Sequence, residues 1–192
     1  LTELLAREKN RIQNSSKTIH ASIRKMVKFV EKEIVAIENR IRECVGKDEA
    51  TSARIDIFTS VVGVGEVTAW NIVANLSEIG YLSRNKVVAL CGIAPYNNDS
   101  GKGMKKRRIQ EGRAKVRKCL YMAAKTAAVH NPVIKEYVDK LRARGKPYKC
   151  AIVAAMRKLL IYLQSLLKKH NLALASLHSC SAVKKNNTYS TF

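Results

Sequence analysis

Apolar residues recur at steps of three and four along most of the chain, the spacing that places them on one face of an α-helix. The longest such pattern predicts a helix over 17–46 that ends at Gly46, after the end of an earlier helix over 1–13. Ser15 or Ser16 is positioned to cap the long helix. Its apolar positions are Ile19, Ile23, Met26, Val30, Ile34, Ile37, Ile41 and Cys44 or Val45.

A stripe of this length needs another surface to cover it. At 1.5 Å per residue, the helix is roughly 40 Å long. Two arrangements would cover the apolar stripe: the helix packs on a partner helix in a coiled coil, or it folds back on its own domain. We therefore interpret residues 1–46 as a helical, coiled-coil-like linker.

Shorter helices are predicted over 47–170, and together they form a compact helical domain. Their expected N-terminal caps are Asp48, Ser83 and Asn131 with Pro132, and their stops are Gly92 and Gly145-Lys146-Pro147. The last helix is expected to end near His170, with residues 171–192 as a tail. No strand is predicted except a short one within 92–110. The predicted fold class is all-α.

One turn between helices has two glycines, Gly63 and Gly65, and it predicts a helix-hairpin-helix over 55–77. In such a motif the backbone N–H groups at the start of the second helix can hold a phosphate oxygen. An ordinary tight turn has the same glycines, so both interpretations stay open. Trp70, the single tryptophan, is expected in the core.

The segment 92–110, which we call the serine loop, combines loop-forming residues, one hydroxyl at its tip (Ser100) and a dense run of cations. These side chains suit a site that holds a phosphodiester, because glycines let the backbone approach and cations neutralise the charge. A surface turn before a solvated basic helix gives the same pattern. The candidate nucleic-acid contacts here and just beyond are Lys102, Lys105, Lys106, Arg107, Arg108, Arg113, Arg117 and Lys118.

The totals point to a polyanionic partner. The 192 residues have a net charge of +21 and a pI near 10. Nucleic acid is favoured over membrane, because cations such as Arg157 and Lys158 interrupt the longest apolar stretches, and we therefore expect that no segment can span a bilayer. The five cysteines are widely spaced without a CxxC pair and the four histidines are scattered, which argues against zinc and for a reducing, cytosolic setting. No signal peptide is visible, and the chain begins at Leu1, as a fragment would.

The aspartates are few and scattered, and metal-dependent phosphodiester cleavage needs several carboxylates that converge. We therefore expect that this chain alone binds no catalytic metal and cuts no DNA. The aspartates are Asp48, Asp56, Asp99 and Asp139.

Seven ordered motifs between Val62 and Lys169 resemble the C-terminal domain of a family of insertion-sequence transposases. That family pairs a RuvC-like nuclease domain, which has a DEDD carboxylate set, with a serine-containing helical domain, and it is related to pilin-gene DNA invertases. The Pro often found before the Gly-x-Gly turn is Val62 here. The motifs are Gly63-Val64-Gly65, Gly92-Ile93-Ala94-Pro95, Ser100-Gly101, Ile109 with Gly112, Arg117 and Leu120, His130-Asn131-Pro132, Arg142 to Pro147, and Met156 to Leu160.

The resemblance implies that Ser100 is the nucleophile that joins covalently to DNA during strand exchange. It also implies a divalent metal such as Mg²⁺ in the nuclease domain that this chain lacks, a homo-oligomer assembled through the N-terminal helix, and in some members a structured guide RNA. The expected setting is the cytoplasm of a bacterium or archaeon, near the nucleoid. The main alternative is a non-catalytic DNA- or RNA-binding and dimerisation module.

Overall fold

The computed structural model describes residues 1–96, 108–109 and 111–186, with side chains through Ala175 except those of Tyr96 and Arg108. The chain divides into two units, Leu1–Ser52 and Ala53–Phe192. The all-α prediction is confirmed. The elements are α1 (Thr2–Gln13), α2 (His20–Gly46), α3 (Glu49–Thr59), α4 (Glu66–Asn75), α5 (Arg84–Leu90), β1 (Pro95–Tyr96), β2 (Arg108–Ile109), α6 (Ala114–His130), α7 (Pro132–Ala143) and α8 (Tyr148–Asn186).

In the first unit, α1 packs against α2. The buried apolar residues of α2 are Ile23, Val27 and Val30, one helical face at steps of four and three. Met26 and Ile19, which the sequence pattern put on this face, are 48% and 43% exposed. The prediction of a long α2 that ends at Gly46 is confirmed. The coiled-coil pairing stays a prediction.

The predicted serine cap of α2 is wrong. This helix begins at His20 after a short 3-10 turn, and no side chain caps it. The hydroxyl of Ser15 instead donates to the carbonyl oxygen of Ile12 at 3.5 Å, and the hydroxyl of Ser16 lies 2.9 Å from that of Thr18. Both serines therefore bond locally within the connection.

The other predicted caps and stops are confirmed. Asp48 accepts from the N–H of Ala50 at 3.2 Å, and Ser83 accepts from the N–H of Lys86 at 3.4 Å. Asn131 accepts from the first two N–H groups of α7 that follow Pro132. Gly145 has φ +74° after α7, a conformation that glycine adopts without strain.

The core of the second unit forms where α6 packs against α4, α7 and α8, and where α8 also meets α5. Ala123, Ala124 and Ala127 are buried, as expected for alanines at a close helix–helix contact. The amide of buried Gln164 donates to the carbonyl oxygen of Leu82 at 2.6 Å and ties α8 to the connection before α5. Trp70, expected in the core, is only half-buried.

The predicted end of the last helix near His170 is wrong, because α8 continues to Asn186. After Pro147 the chain has no Pro or Gly to stop the helix, and Leu and Ala at 172–175 are strong helix formers. Loss of the apolar period had indicated the end of the buried face, which is not the same as the end of the helix.

One segment of α8, Tyr148–Ala175, is long and apolar enough to cross a bilayer by length and composition. The sequence-based exclusion of any such segment was therefore too strong. Half of this segment is buried inside the protein, and Leu159, Leu160 and Leu163 have no exposed surface. These contacts favour a core helix.

Candidate nucleic-acid interface

The two glycines of the turn between α3 and α4 have different surroundings. Gly63 has φ +102°, and a Cβ atom there would lie 2.6 Å from the Cβ of Ala127 on α6. Gly65 has φ −90° at the N-terminal end of α4, with open space where a Cβ would stand. Gly63 therefore lets the turn approach α6, whereas Gly65 is exposed and a side chain there would meet no neighbour.

A small cavity of about 400 Å³ adjoins this turn, lined by Gly63, Gly65 and Thr68 together with residues of α6. None of the described residues that line it is charged, and exposed Glu66 follows Gly65 in the first turn of α4. The turn therefore has backbone N–H groups at the start of α4 but no cation from the described part of the chain beside the cavity. Contact of Gly63 and Gly65 with nucleic acid stays a prediction.

The ends of the serine loop meet in a close contact that we call the backbone crossing, formed by residues 90–92 and 111–113. Gly92 has φ +64° and Gly112 has φ +68°. A Cβ on Gly112 would lie 2.7 Å from both the Cα of Gly92 and the carbonyl oxygen of Leu90. The N–H of Arg113 donates to that same Leu90 oxygen at 2.9 Å. A side chain on Gly92 or on Gly112 would overlap the opposite segment of the crossing. Glycine is therefore required at both positions.

Arg113, a predicted nucleic-acid contact, makes a two-pronged ion pair within the protein. Its Nη2 donates to Glu78 Oε1 at 2.5 Å, and its Nη1 donates to Glu78 Oε2 at 2.6 Å and to the carbonyl oxygen of Asn75 at 2.8 Å. Mainly because of the hydrogen bond from Arg113, the pKa of Glu78 falls to about 2. This guanidinium joins the start of α6 to the connection after α4.

Arg117 also acts at the crossing, because its guanidinium donates to the carbonyl oxygen of Glu111. Glu111 itself has φ +59°, a left-handed conformation that is uncommon for a residue with a side chain. Lys118 lies exposed on the next turn of α6. Sequence reasoning treated these three cations alike, but the structure places Arg113 and Arg117 in hydrogen bonds within the protein at the backbone crossing.

Two short antiparallel strands continue from the crossing, with Pro95 opposite Ile109 and Tyr96 opposite Arg108. The short strand expected within 92–110 is confirmed. Ser100, Lys102, Lys105, Lys106 and Arg107 lie outside the described residues, and Arg108 is described by its backbone alone. The structure therefore establishes how this loop is anchored, and the roles of its residues stay predictions.

Sequence reasoning missed an apolar groove of about 690 Å³ beside these strands. Pro95 and Ile109 contribute from the strands, Leu141 from α7, and Val153 and Ala154 from α8. Lys146, Lys149 and Arg157 also line it. The signals in the sequence were the cations Lys146, Lys149 and Arg157, which helix periodicity alone does not connect to the loop.

The cysteines near these features differ in exposure. Cys91, directly before Gly92, is buried, and burial raises the pKa of its thiol to about 11. Cys150 is exposed in the apolar groove. Within the residues that the structure describes, no group of three or more His, Cys, Asp or Glu side chains could hold a metal ion.

Residues 55–139 match the model of the transposase IS116/IS110/IS902 family. The chain is 27% identical over 146 residues to the insertion element IS900 uncharacterized 42 kDa protein of Mycobacterium paratuberculosis, covering 72% of this chain and 36% of that protein. It is 23% identical over 131 residues to the pilin gene-inverting proteins of Moraxella bovis and Moraxella lacunata, covering 66% of this chain and 41% of each. The chain thus spans well under half of the length of these relatives.

Proposed function

From the support that these comparisons give to the transposase family, we propose that the chain is the serine-containing, DNA-binding part of a transposase or site-specific recombinase. In this proposal Ser100 attacks DNA, and a metal-dependent nuclease domain outside this chain completes the site. The matched residues 55–139 include the glycine turn, the backbone crossing and the whole serine loop.

The observation that carries the proposal is the rigid anchoring of a highly basic loop. Gly92 and Gly112 close the crossing, and Arg113 fixes it to Glu78. A site for phosphoryl transfer must hold the reacting groups in place before reaction, because positioning supplies much of the rate. An unanchored surface turn would not need a close backbone contact and an ion pair at its base, so the anchoring favours a functional loop over a solvated turn.

The chemistry proposed for Ser100 is a transesterification. The Ser100 oxygen forms a bond to phosphorus, one bridging P–O bond to deoxyribose breaks, and the serine proton ends on a base or on the departing oxygen. A serine hydroxyl needs activation, and the charge that builds on the phosphate needs cations. Lys102, Lys105, Arg107 and Arg108 supply cations in sequence next to Ser100. The activating base and a divalent metal such as Mg²⁺ would come from the nuclease domain.

A non-catalytic nucleic-acid-binding module is the second candidate. It is supported by the net charge of +21, because binding of a polyanion requires no nucleophile. It also predicts a function for the glycine turn, where the open N-terminal end of α4 at Gly65 offers backbone donors to a phosphate. In both candidates DNA is a partner; guide-RNA binding and oligomerisation through residues 17–46 are further proposals.

One experiment separates the two candidates. Ser100→Ala is introduced into the complete transposase, and strand transfer and DNA binding are measured together, with Ser22→Ala on exposed α2 as the control. The enzyme proposal expects strand transfer to be lost and binding to be retained in Ser100→Ala alone. Unchanged strand transfer in this variant would rule out Ser100 as the nucleophile.

DNA binding by this chain is tested by titrating it against duplex DNA at several salt concentrations. We expect affinity to fall steeply with salt, with a slope of about 0.9 in the log–log plot for each phosphate contacted. Affinity that does not depend on salt would contradict the proposed use of the basic residues.

A further inference from the structure

We propose that the apolar groove beside β1 and β2 is a binding site for one unpaired nucleotide of a DNA strand. Its base would lie against the apolar lining, and its phosphate would meet the cations at the groove. The inference rests on the proposed DNA partner and adds a site that distinguishes an unpaired nucleotide from duplex DNA. Nothing in the family comparison assigns this groove.

The volume and lining of the groove suit a base. Its volume of about 690 Å³ is within the range of roughly 300–1,000 Å³ that is usual for small-molecule sites. Ile109, Val153 and Ala154 give it an apolar surface, and Ile93 beneath is 1% exposed. A base offers its flat apolar face to a protein only when it has left the duplex stack. The lining therefore favours an unpaired nucleotide over duplex DNA.

The charge of the groove selects an anion. Among the residues that the structure describes, eleven line the groove; three of these are cationic, Lys146, Lys149 and Arg157, and none is acidic. Lys149 and Arg157 stand on the same helix, two turns apart, so their charges flank the apolar positions 153 and 154 between them. A neutral apolar peptide would gain nothing from these cations, whereas a nucleotide uses both the cations and the apolar surface.

The position of the groove links it to the reacting strand. Pro95 and Ile109 belong to the paired strands at the two ends of the serine loop. Ser100 follows Tyr96 by four residues, and four residues span at most roughly 14 Å. That distance corresponds to about four nucleotides of B-DNA at 3.4 Å each. A strand attacked near this loop could place a neighbouring nucleotide in the groove if that nucleotide is unpaired.

Cys150 gives a direct readout in the unaltered 192-residue chain. A maleimide is used to label the thiol with and without DNA, and the rate at Cys150 is read by peptide mass spectrometry, with exposed Cys44 of the first unit as an internal control. The probes are a blunt duplex, the same duplex with an overhang of about four nucleotides at either end, and the overhang duplex in which the overhanging nucleotides are abasic.

We expect the intact overhang to slow labelling of Cys150 about tenfold relative to the blunt duplex, with Cys44 unchanged. The baseless overhang is expected to give much less protection. Equal protection by all three probes would overturn the nucleotide site while leaving DNA binding intact. If no probe binds the chain at any salt concentration, the proposed function itself fails.

Two variants test the site independently of labelling. Ala154→Phe fills the groove and should remove the preference for the overhang, about tenfold or about 1.4 kcal/mol, without weakening binding of the blunt duplex. Val129→Phe, at an exposed position of α6, is the size-matched control. Lys149→Gln should lower the salt slope for the overhang by about 0.7, the value for one single-strand phosphate.

A preference that persists in a folded Ala154→Phe variant would contradict the proposal. If that variant does not fold, Lys149→Gln still tests the proposal, because Lys149 is exposed and its replacement should not affect folding. In this variant the salt slope for the overhang must fall, while the salt slope for the blunt duplex must not. Protection of Cys150 by an anionic amphiphile such as oleate but not by the overhang would assign the groove to a different ligand class and would also overturn the proposal.

Discussion

The glycine turn at 63–65 and the backbone crossing at 90–92 and 111–113 each contain two glycines, but the glycines have different physical roles. In the turn, Gly63 is crowded by Ala127 and Gly65 faces open space. In the crossing, Gly92 is crowded by Glu111 and Gly112 by Gly92, and the Arg113–Glu78 ion pair and backbone hydrogen bonds lie beside them. The comparison teaches that a glycine pair can serve packing, access or both, and that only its surroundings distinguish these roles.

The largest effect is expected for alanine in the crossing. A methyl group on Gly92 would overlap the backbone carbonyl of Glu111 at a φ of +64°. We expect Gly92→Ala to lower the free energy of unfolding by roughly 3–5 kcal/mol, through backbone strain and overpacking. Chemical denaturation of the purified chain measures it, and a soluble yield close to zero would agree. Gly65→Ala is the matched control, expected within about 1 kcal/mol because that position is open.

Gly63→Ala should have the next largest effect. The new Cβ would meet the Cβ and backbone of Ala127 at 2.6–2.8 Å. Since the contact is with helix backbone, which yields less than a side chain, we expect a loss of about 2–4 kcal/mol. If Gly63→Ala and Gly65→Ala unfold at the same denaturant concentration, the assigned difference between the two glycines is wrong.

Acid should weaken the crossing through Glu78. Arg113 lowers its pKa from 4.5 to about 2, so the folded chain favours the ionised carboxylate. This contribution is fully present above about pH 4.5 and is lost as the pH falls toward 2. We expect Glu78→Gln to flatten the fall of stability with pH in that window, measured by thermal unfolding. Asp139→Asn, which removes an exposed carboxylate of α7, should leave the curve parallel to that of the unaltered chain.

The smallest effect is a local change in labelling. Cys91 precedes Gly92, is buried, and has a thiol pKa raised to about 11, so it should react far more slowly with a maleimide at pH 8 than exposed Cys150. Glu78→Gln should speed labelling of Cys91 if the ion pair holds the crossing closed. Unchanged labelling would mean that the two glycines suffice to close it.

Local features of this chain could be predicted from its sequence, and contacts between distant segments could not. Asp48, Ser83 and Asn131 cap helices as predicted, because a cap depends on residues within one turn. The ion pair between Arg113 and Glu78 joins residues 35 positions apart, and no local sequence pattern predicts it. The same holds for the apolar groove, whose lining comes from four separate elements.

The exposed residues of α2 show a limit of predicting buried positions from helical periodicity. Steps of three and four fit several neighbouring faces of a helix of 27 residues, and α1 selects the one with Val27 rather than the one with Met26. Similarly, the apolar period of α8 fades before its helix ends, since burial and helix propensity depend on different properties of the sequence.

The backbone crossing makes the serine loop an exchangeable module. Because bonds from Arg113 and Arg117 close its base, residues 97–107 do not have to hold the two ends together themselves. The free-energy cost of lengthening a closed loop grows only logarithmically, by about 0.6 kcal/mol per doubling. Loops of other lengths and compositions can therefore be grafted between Tyr96 and Arg108 while the helical core below keeps its stability.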